Sequence, residues 1–505
     1  MKRALISVYD KTNVTDFAKE LISLGYEIVS TSGTAKLLAN SGIKIKTIEE
    51  ITHAPEILEG RVKTLQYYIF AGILADKNNP QHIAEIQKYG FITFDLVCVS
   101  LYPFKQTINK PDCTEQEAIE QIDIGGVSLI RAAAKNFSSV SVIVDPAQYN
   151  IFIDAVKSNK NINKLLAADA FEYIASYDIS IANYFRNINN QTSGIFDIYY
   201  TSKHQLRYGE NPHQRAMLYD TGLNGFSQIF NKLHGKELSY INILDIDAAY
   251  NLVNEFSEPA CAIIKHANPC GAAIGSDITD AYKKAFSCDT VSPFGGIVIV
   301  NRKLYYDCAA EIDKIFTEII IAPDFDDDAL EFLKKKKNRR LIKYTPAEIE
   351  NSIELKTVTG GMLIQDINNI VINESELKTV TNRKPEEHEY KDLIFAMKVC
   401  KHVKSNAVVF AKSNQTIGIG GGQPSRVDSS MLALSKAKKF GFDTAGSVAS
   451  SDAFFPFPDS ITEAANAGVT AVIQPGGSVN DQEVINEANK HNIAMIFTGI
   501  RHFKH

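Results

Sequence analysis

The sequence predicts an α/β protein of two or more domains, on three observations. Its 505 residues exceed what one hydrophobic core usually organises, at roughly 100–200 residues per domain. Through the first 150 residues, short apolar runs alternate with helical patterns, the signature of βαβ units on a doubly wound parallel sheet. From about residue 199, loops bearing Gly and Pro interrupt a second set of strands.

The elements follow in order. Ala4-Leu5-Ile6-Ser7-Val8 predicts a strand over 4–8, the pattern of 14–24 a helix, Glu27-Ile28-Val29-Ser30 a strand, and 34–40 a second helix. Strands are expected over 95–101 and 139–144, then a largely helical stretch over 147–185. Residues 186–193, rich in Asn, Gln, Thr and Ser, read as a linker. The expected domains are therefore 1–193, with its sheet core in 1–146, and 194–505. In the second, strands are expected over 261–264, 296–300, 407–411, 416–419 and 469–473, in two comparable α/β sub-units divided near 355–374. Asp326-Asp327-Asp328 ahead of Lys334–Lys337 and Arg339-Arg340 predicts one solvated helix with acid at its start and base at its end.

Composition narrows the function classes. The hydrophobic fraction is 45% and the charged fraction 22%, both ordinary for a globular chain. A net charge of −6 argues against a chain-wide grip on nucleic acid or an anionic membrane. The seven cysteines are scattered with no CxxC pair, which reads as free thiols in a reducing cytoplasm and not as a zinc site. No HExxH is present, no eighteen apolar residues run together, and the apolar start meets Asp10 and Lys11 too early for a signal peptide. A soluble cytoplasmic protein with no resident metal is expected.

Several motifs carry chemistry. Thr31-Ser32-Gly33-Thr34 lies at a strand-to-helix turn, where small hydroxyl residues and backbone N–H groups suit a phosphate or simply cap a helix. Gly60-Arg61-Val62-Lys63-Thr64 puts two cations beside Gly and Thr, a plausible anion clamp. Asp123-Ile124-Gly125-Gly126 precedes a helix carrying Arg131 and Lys135 on one face. The 261–264 strand delivers Lys265-His266 to a strand end, where ligands bind in α/β sheets and a histidine can act as a general base or merely cap a turn. Gly418-Ile419-Gly420-Gly421-Gly422-Gln423, ahead of Ser425-Arg426, is expected to admit a ligand or turn tightly. Ser451-Asp452-Ala453-Phe454-Phe455-Pro456-Phe457-Pro458-Asp459 suits a flat heterocycle or an aromatic core turn.

Taken together and in this order, these motifs, with Arg207-Tyr208-Gly209-Glu210-Asn211-Pro212-His213-Gln214, span the whole chain. They resemble the bifunctional purine-biosynthesis family that combines AICAR (aminoimidazole carboxamide ribonucleotide) transformylase with IMP cyclohydrolase. The resemblance implies an N-terminal methylglyoxal-synthase-like cyclohydrolase domain and a C-terminal pair of cytidine-deaminase-like α/β subdomains for the transformylase. It implies formyl transfer from 10-formyltetrahydrofolate, a co-substrate and not a tightly bound cofactor, to AICAR, then dehydrative closure of formyl-AICAR to IMP. It makes His266 the base and Lys265 the charge stabiliser of formyl transfer. Arg207, Tyr208, Arg426, Val427 and Arg501 would contact nucleotide, Asn406 the formyl group, and Phe454 and Asp459 the folate or base. Phe294, Gly295, Glu318 and Ser478 complete the implied transformylase contacts. In the first domain Lys135 would transfer protons, with Asp123 and Tyr102 beside it. Tyr9, Asp10, Lys11, Thr31, Ser32, Gly33, Thr34, Arg61, Val62, Lys63, Thr64, Ser100 and Ile124 would hold the nucleotide and its phosphate. The family implies a homodimer and allows a structural potassium ion. Departures from its pattern, Gln66-Tyr67 for His-Pro, Ser100 for Asn and Phe137 for His, are expected around the cyclohydrolase site.

Overall fold

Lys2–Val8 (β1) is the centre of a five-stranded sheet because Ala4, Leu5 and Ile6 bury both of its faces. Around it lie Tyr26–Ser30 (β2), Ile45–Thr47 (β3), Leu96–Ser100 (β4) and Ser141–Ile143 (β5). The order is β3-β2-β1-β4-β5 and every pair is parallel. The order reverses between β1 and β4, so the loops leaving those strands open a crevice at the carboxyl edge. The computed structural model describes residues 1–189, 202–220, 225–347 and 353–505. Its contacts divide the chain into Met1–Tyr199 and Tyr200–His505.

The helical expectations hold with shifts at their ends. The first helix is Val14–Ser23, and the second opens at Ser32 and runs to Asn40. The stretch expected over 147–185 is two helices, Gln148–Lys157 and Asn163–Ile188, broken where Asn159 takes φ 54°. The second helix absorbs Arg186 to Ile188 of the expected linker, because the apolar spacing carries past the polar residues. Residues 190–193 of that linker lie outside the described residues.

In the second unit, Ser202–Gln205 (β6) and Met217–Asp220 (β7) pair antiparallel. A twelve-stranded sheet follows. Its first half holds Phe230–His234 (β8), Ala260–Lys265 (β9), Asn268–Ile274 (β10), Ile297–Val300 (β11), Ile319–Ala322 (β12) and Arg340–Tyr344 (β13). Ile353–Val358 (β14) and Gly361–Asp366 (β15) form a separate hairpin at the expected division. The second half holds Lys378–Thr379 (β16), Val408–Lys412 (β17), Gln415–Gly420 (β18), Ser447–Ser451 (β19), Val469–Gln474 (β20) and Ala494–Phe497 (β21). From the centre outward the halves read β10-β9-β11-β12-β13-β8 and β18-β17-β19-β20-β21-β16. They match strand for strand. β10 and β18 meet antiparallel at the middle, with Ala273 opposite Gln415. The two expected α/β sub-units are present, joined through one continuous sheet.

Two expectations change. The basic run does not end one long helix: the helix is Asp327–Lys334, and Arg340 opens β13. Four of its six cations are paired, Lys334 with Glu331, Lys336 and Arg339 with Asp313, and Arg340 with Glu318. Nor is Gly420 a loop residue: together with Gly418, already inside the expected 416–419 strand, it lies in β18. A Cβ at Gly420 would sit 1.9 Å from the Ser429 carbonyl oxygen, so glycine there lets the helix Arg426–Lys439 press directly on the sheet.

Candidate functional site

In the first unit the loops after β1, β2 and β4 build one polar surface. Ser7 Oγ lies 2.8 Å from Thr31 Oγ1, and Thr34 Oγ1 donates to the Val8 carbonyl at 3.1 Å. Lys11 Nζ donates to Thr34 Oγ1 at 2.8 Å and also to the Val8 carbonyl. Burial pushes the Lys11 ammonium down from its usual range. The Thr31 to Thr34 turn starts the helix Ser32–Asn40, which sets Thr34 of its first turn beside this lysine. Ser32 Oγ donates to Glu56, whose other oxygen pairs with Lys63 at 3.1 Å. Arg61 pairs with Glu120.

Asp123 caps the helix Gly125–Lys135 by accepting from the Gly126 N–H at 2.7 Å. A Cβ at Gly126 would lie 2.6 Å from Asp123 Oδ2, and one at Gly125 would touch Thr64 Oγ1. The two glycines thus let Thr64, Asp123 and the helix N-terminus meet, with Ile124 exposed beside them. Burial raises the Asp123 carboxyl, partly offset by backbone N–H groups of Gly126 and Tyr102. Tyr102 is exposed and edge-on to Tyr9, ring centres 6.0 Å apart. Tyr9 also lines a 560 Å³ cavity with Gln106, Lys110 and Glu117. Lys135 is not brought to this cluster. It ends the same helix whose start Asp123 caps, about 16 Å away at 1.5 Å per residue, and its side chain is exposed.

The departures fall in different places. Ser100 Oγ accepts from the N–H groups of Tyr9 and Asp10, at 2.7 and 3.0 Å, and so holds the loop after β1. Asp10 in turn accepts from Thr12, which lowers its carboxyl pKa. Gln66 and Tyr67 line a cavity with Leu65, Phe70 and Ser128. Phe137, expected near the site, instead follows the far end of the helix and packs against the core. An apolar ring gains more there than beside a polar ligand.

In the second unit Lys265 ends β9, the expected strand end, and His266 follows in the hairpin turn to β10. β9 and β10 pair antiparallel, with Asn268 opposite Lys265. Asn268-Pro269-Cys270-Gly271 pairs as strand despite its proline, with an irregularity between Pro269 and Gly271 that spares the proline its missing donor. His266 is exposed, and Lys265 Nζ donates to the Phe294 carbonyl at 2.8 Å. Asn268 ties the turn to the other half of the sheet: its Oδ1 accepts from the Lys404 N–H at 3.0 Å.

Two residues on is Asn406, whose Nδ2 donates to the Gln423 and Pro424 carbonyls. Arg426 Nη2 donates to Asn406 Oδ1 at 2.9 Å and to Asp452 Oδ1 at 2.8 Å, and Nη1 to the Phe454 carbonyl at 3.2 Å. Asp452 is fully buried and accepts from Ser405 through its other oxygen. Asp452 thereby sets the planes of Arg426 and Asn406, with Val427 next in the helix. Of the two carboxylates in the 451–459 run, the resemblance gave a contact to Asp459, whereas the buried one that organises this network is Asp452. Asp459 is exposed and starts the helix Asp459–Asn466.

Arg207 lies over the Tyr208 ring, 4.7 Å to the centre, and bonds its hydroxyl. Arg340, absent from the expected set, donates to Glu318 at 2.9 Å, and Asn242 reaches the same oxygen. Burial lowers the Arg340 pKa, Glu318 opposes that shift, and Arg207 adds to it, which puts Arg207 in the same field. Phe294 is exposed and contacts Phe316, whose carbonyl accepts from the Gly295 N–H at 2.7 Å. Ser478 accepts from the Asn480 N–H, and Arg501 lies over Phe503, so neither is drawn into the Arg426 network.

The profile of the "AICARFT/IMPCHase bienzyme" matches residues 133–436, and that of the "MGS-like domain" matches 13–128. The chain is 50% identical over 517 residues to "Bifunctional purine biosynthesis protein PurH" of Caldicellulosiruptor saccharolyticus, covering 100% of each. It is 48% identical over 513 residues to the same-named protein of Bacillus subtilis, again covering 100% of each. A solved structure titled "Crystal structure of ForH" aligns with 37% of this chain and 97% of its own at 32% identity, with a TM-score of 0.33. Identity sustained across both units places the chain in one family: it belongs to the AICARFT/IMPCHase bienzymes.

Proposed function

We propose that the chain performs the last two steps of purine synthesis with one site in each unit. In the second unit the AICAR amine attacks the formyl carbon of 10-formyltetrahydrofolate. The new C–N bond forms as the bond from the formyl carbon to folate N10 breaks, and the departing nitrogen takes a proton. The amine is a poor nucleophile, conjugated with its ring and carboxamide, so His266 takes its proton as it attacks. Lys265 stabilises the charge that develops on the formyl oxygen. Asn406 stands by the formyl group, and Arg207, Tyr208, Arg426, Val427 and Arg501 hold nucleotide. Phe294, Gly295, Glu318, Phe454, Asp459 and Ser478 complete the pocket. The observation that carries this reading is the Asn268–Lys404 bond, which links the His266 turn to the Asn406–Arg426–Asp452 network.

In the first unit the carboxamide nitrogen of formyl-AICAR closes onto its own formyl carbon and water leaves. The step is intramolecular, so orientation supplies much of the acceleration. The loops bearing Lys11, Thr31 to Thr34 and Arg61 to Thr64 grip phosphate, while Asp123 and Tyr102 handle protons. Lys135 enters as a proton-transfer group through the family resemblance alone.

The chain acts as a homodimer in the cytoplasm. β14 and β15 expose Ile353, Val358, Met362, Leu363 and Ile364 outside the main sheet, and a lone two-stranded hairpin is marginal in water. A second copy covers it. Among the described residues no helix is long and apolar enough to cross a membrane, and no three His, Cys, Asp or Glu side chains cluster to hold a metal. A structural potassium ion would need other oxygen donors, and no step is routed through one. Purified protein given AICAR and 10-formyltetrahydrofolate should yield formyl-AICAR and then IMP, followed spectroscopically. Binding of AICAR without turnover would overturn the reading.

A further inference from the structure

The two halves of the large sheet repeat more than strand order. Each follows its first strand with a helix of 14 residues, Tyr240–Val253 and Glu387–Cys400. Each helix carries a buried aspartate as its sixth residue, Asp245 and Asp392, 7% and 4% exposed. Each aspartate meets a two-residue hairpin turn later in the chain. Asp245 accepts from the Ala267 N–H at 2.6 Å, with the His266 N–H as a second donor. Asp392 accepts from the N–H groups of Ser413 and Asn414, at 2.8 and 2.6 Å. The spacing from Asp245 to Ala267 equals that from Asp392 to Asn414, twenty-two residues.

Both turns are left-handed at both positions: φ is 54° and 56° at His266 and Ala267, and 54° at Ser413 and Asn414. Such turns normally carry Asn and Gly, which accept this conformation at low cost. Asn414 fits that preference. His266-Ala267 does not, and left-handed backbone at such residues persists only where surrounding bonds impose it. A carboxylate that takes both turn amides supplies those bonds. The second half shows the device serving hairpin geometry alone; in the first half it also aims the imidazole.

We infer that Asp245 is a positioning residue for formyl transfer, fixing the His266–Ala267 turn through its backbone amides, while Asp392 is its purely architectural counterpart. Asp245 touches no substrate in this account. It sets the direction in which His266 leaves the hairpin, and an ångström of misplacement at a general base can cost about 10²-fold in rate. The inference rests on His266 being the base of formyl transfer.

The test pairs the two aspartates in the full chain. Asp245→Asn and Asp392→Asn each remove the charge and one acceptor from the turn; Asp245→Ala removes both acceptors. Asp245→Asn should lower kcat for formyl transfer about 10-fold and Asp245→Ala about 100-fold, with the AICAR KM within about 3-fold. Asp392→Asn should leave that kcat within about 2-fold, even where it lowers thermal stability as much. Circular dichroism and AICAR binding confirm folding of the second unit, and the Asn variant serves if the Ala variant does not fold. An unchanged kcat in folded Asp245→Asn, or an equal fall in Asp392→Asn, overturns the inference. His266→Ala separates the two levels: full activity there removes the base assignment itself, whereas a crippled His266→Ala beside unaffected Asp245 variants removes only the positioning role.

Discussion

At the scale of single residues, Ser100 shows how a departure from a family pattern can be absorbed. Its hydroxyl accepts from the Tyr9 and Asp10 amides, so it shapes the loop next to Lys11 without standing among the proton-handling groups. Ser100→Ala should raise the KM for formyl-AICAR about 3- to 10-fold, the worth of one ordinary hydrogen bond of about 1 kcal/mol, and leave kcat nearly unchanged. Steady-state cyclisation kinetics on supplied formyl-AICAR decide it, and a fall in kcat alone would contradict it. The residues of this cluster were legible in the sequence because phosphate loops sit at strand-to-helix turns. Lys135 was not: spacing places it on the Asp123 helix but does not tell which end faces the crevice. Asp452 and Arg340 were missed for a related reason, since a buried charge is recognisable only once its partner is known to stand opposite.

Among the elements, β18 and the helix Arg426–Lys439 carry the most consequence. Gly418 and Gly420 read as a ligand loop, but the close approach that needs them is between strand and helix backbone. Gly420→Ala would drive a methyl against the Ser429 carbonyl oxygen, and overpacking of this kind costs about 1–3 kcal/mol. Ser429 also bonds the Asn406 carbonyl, and Arg426 opens the same helix. Formyl transfer should therefore fall along with the thermal stability of the second unit, while cyclisation holds. Calorimetry with both assays reads this out; unchanged formyl transfer would show that the helix tolerates displacement. The parallel sheet of the first unit was readable because its strands are buried on both faces. The 268–274 strand was not, since a proline and a glycine at an irregular pairing erase the strand signal.

For the whole molecule, the two units should separate in fragment and in acid. A fragment ending near Ser193 should fold and cyclise formyl-AICAR by itself, because one continuous core runs from β1 to the helix Asn163–Ile188; insolubility across several end points past Ile188 would count against that boundary. Acid should weaken the second unit first. His502 is 1% exposed, and burial pushes its imidazole down to about 4. An unfolded histidine protonates near 6.5, so the native state loses stability progressively as pH falls from about 6.5 to 4. The first unit holds His53 and His82, both exposed. Unfolding scans at pH 7.5 and 5 should show the transition of the second unit moving further. The duplication inside that unit was invisible as a sequence repeat, because the halves share burial and topology more than residue identity.

The division of labour between the two units is tested most directly by assaying His266→Ala in the full chain for both reactions. Loss of a general base costs about 10²–10⁴-fold, so formyl transfer should fall by that factor while supplied formyl-AICAR closes to IMP at the parent rate. Equal loss of both activities in a folded protein would contradict the account.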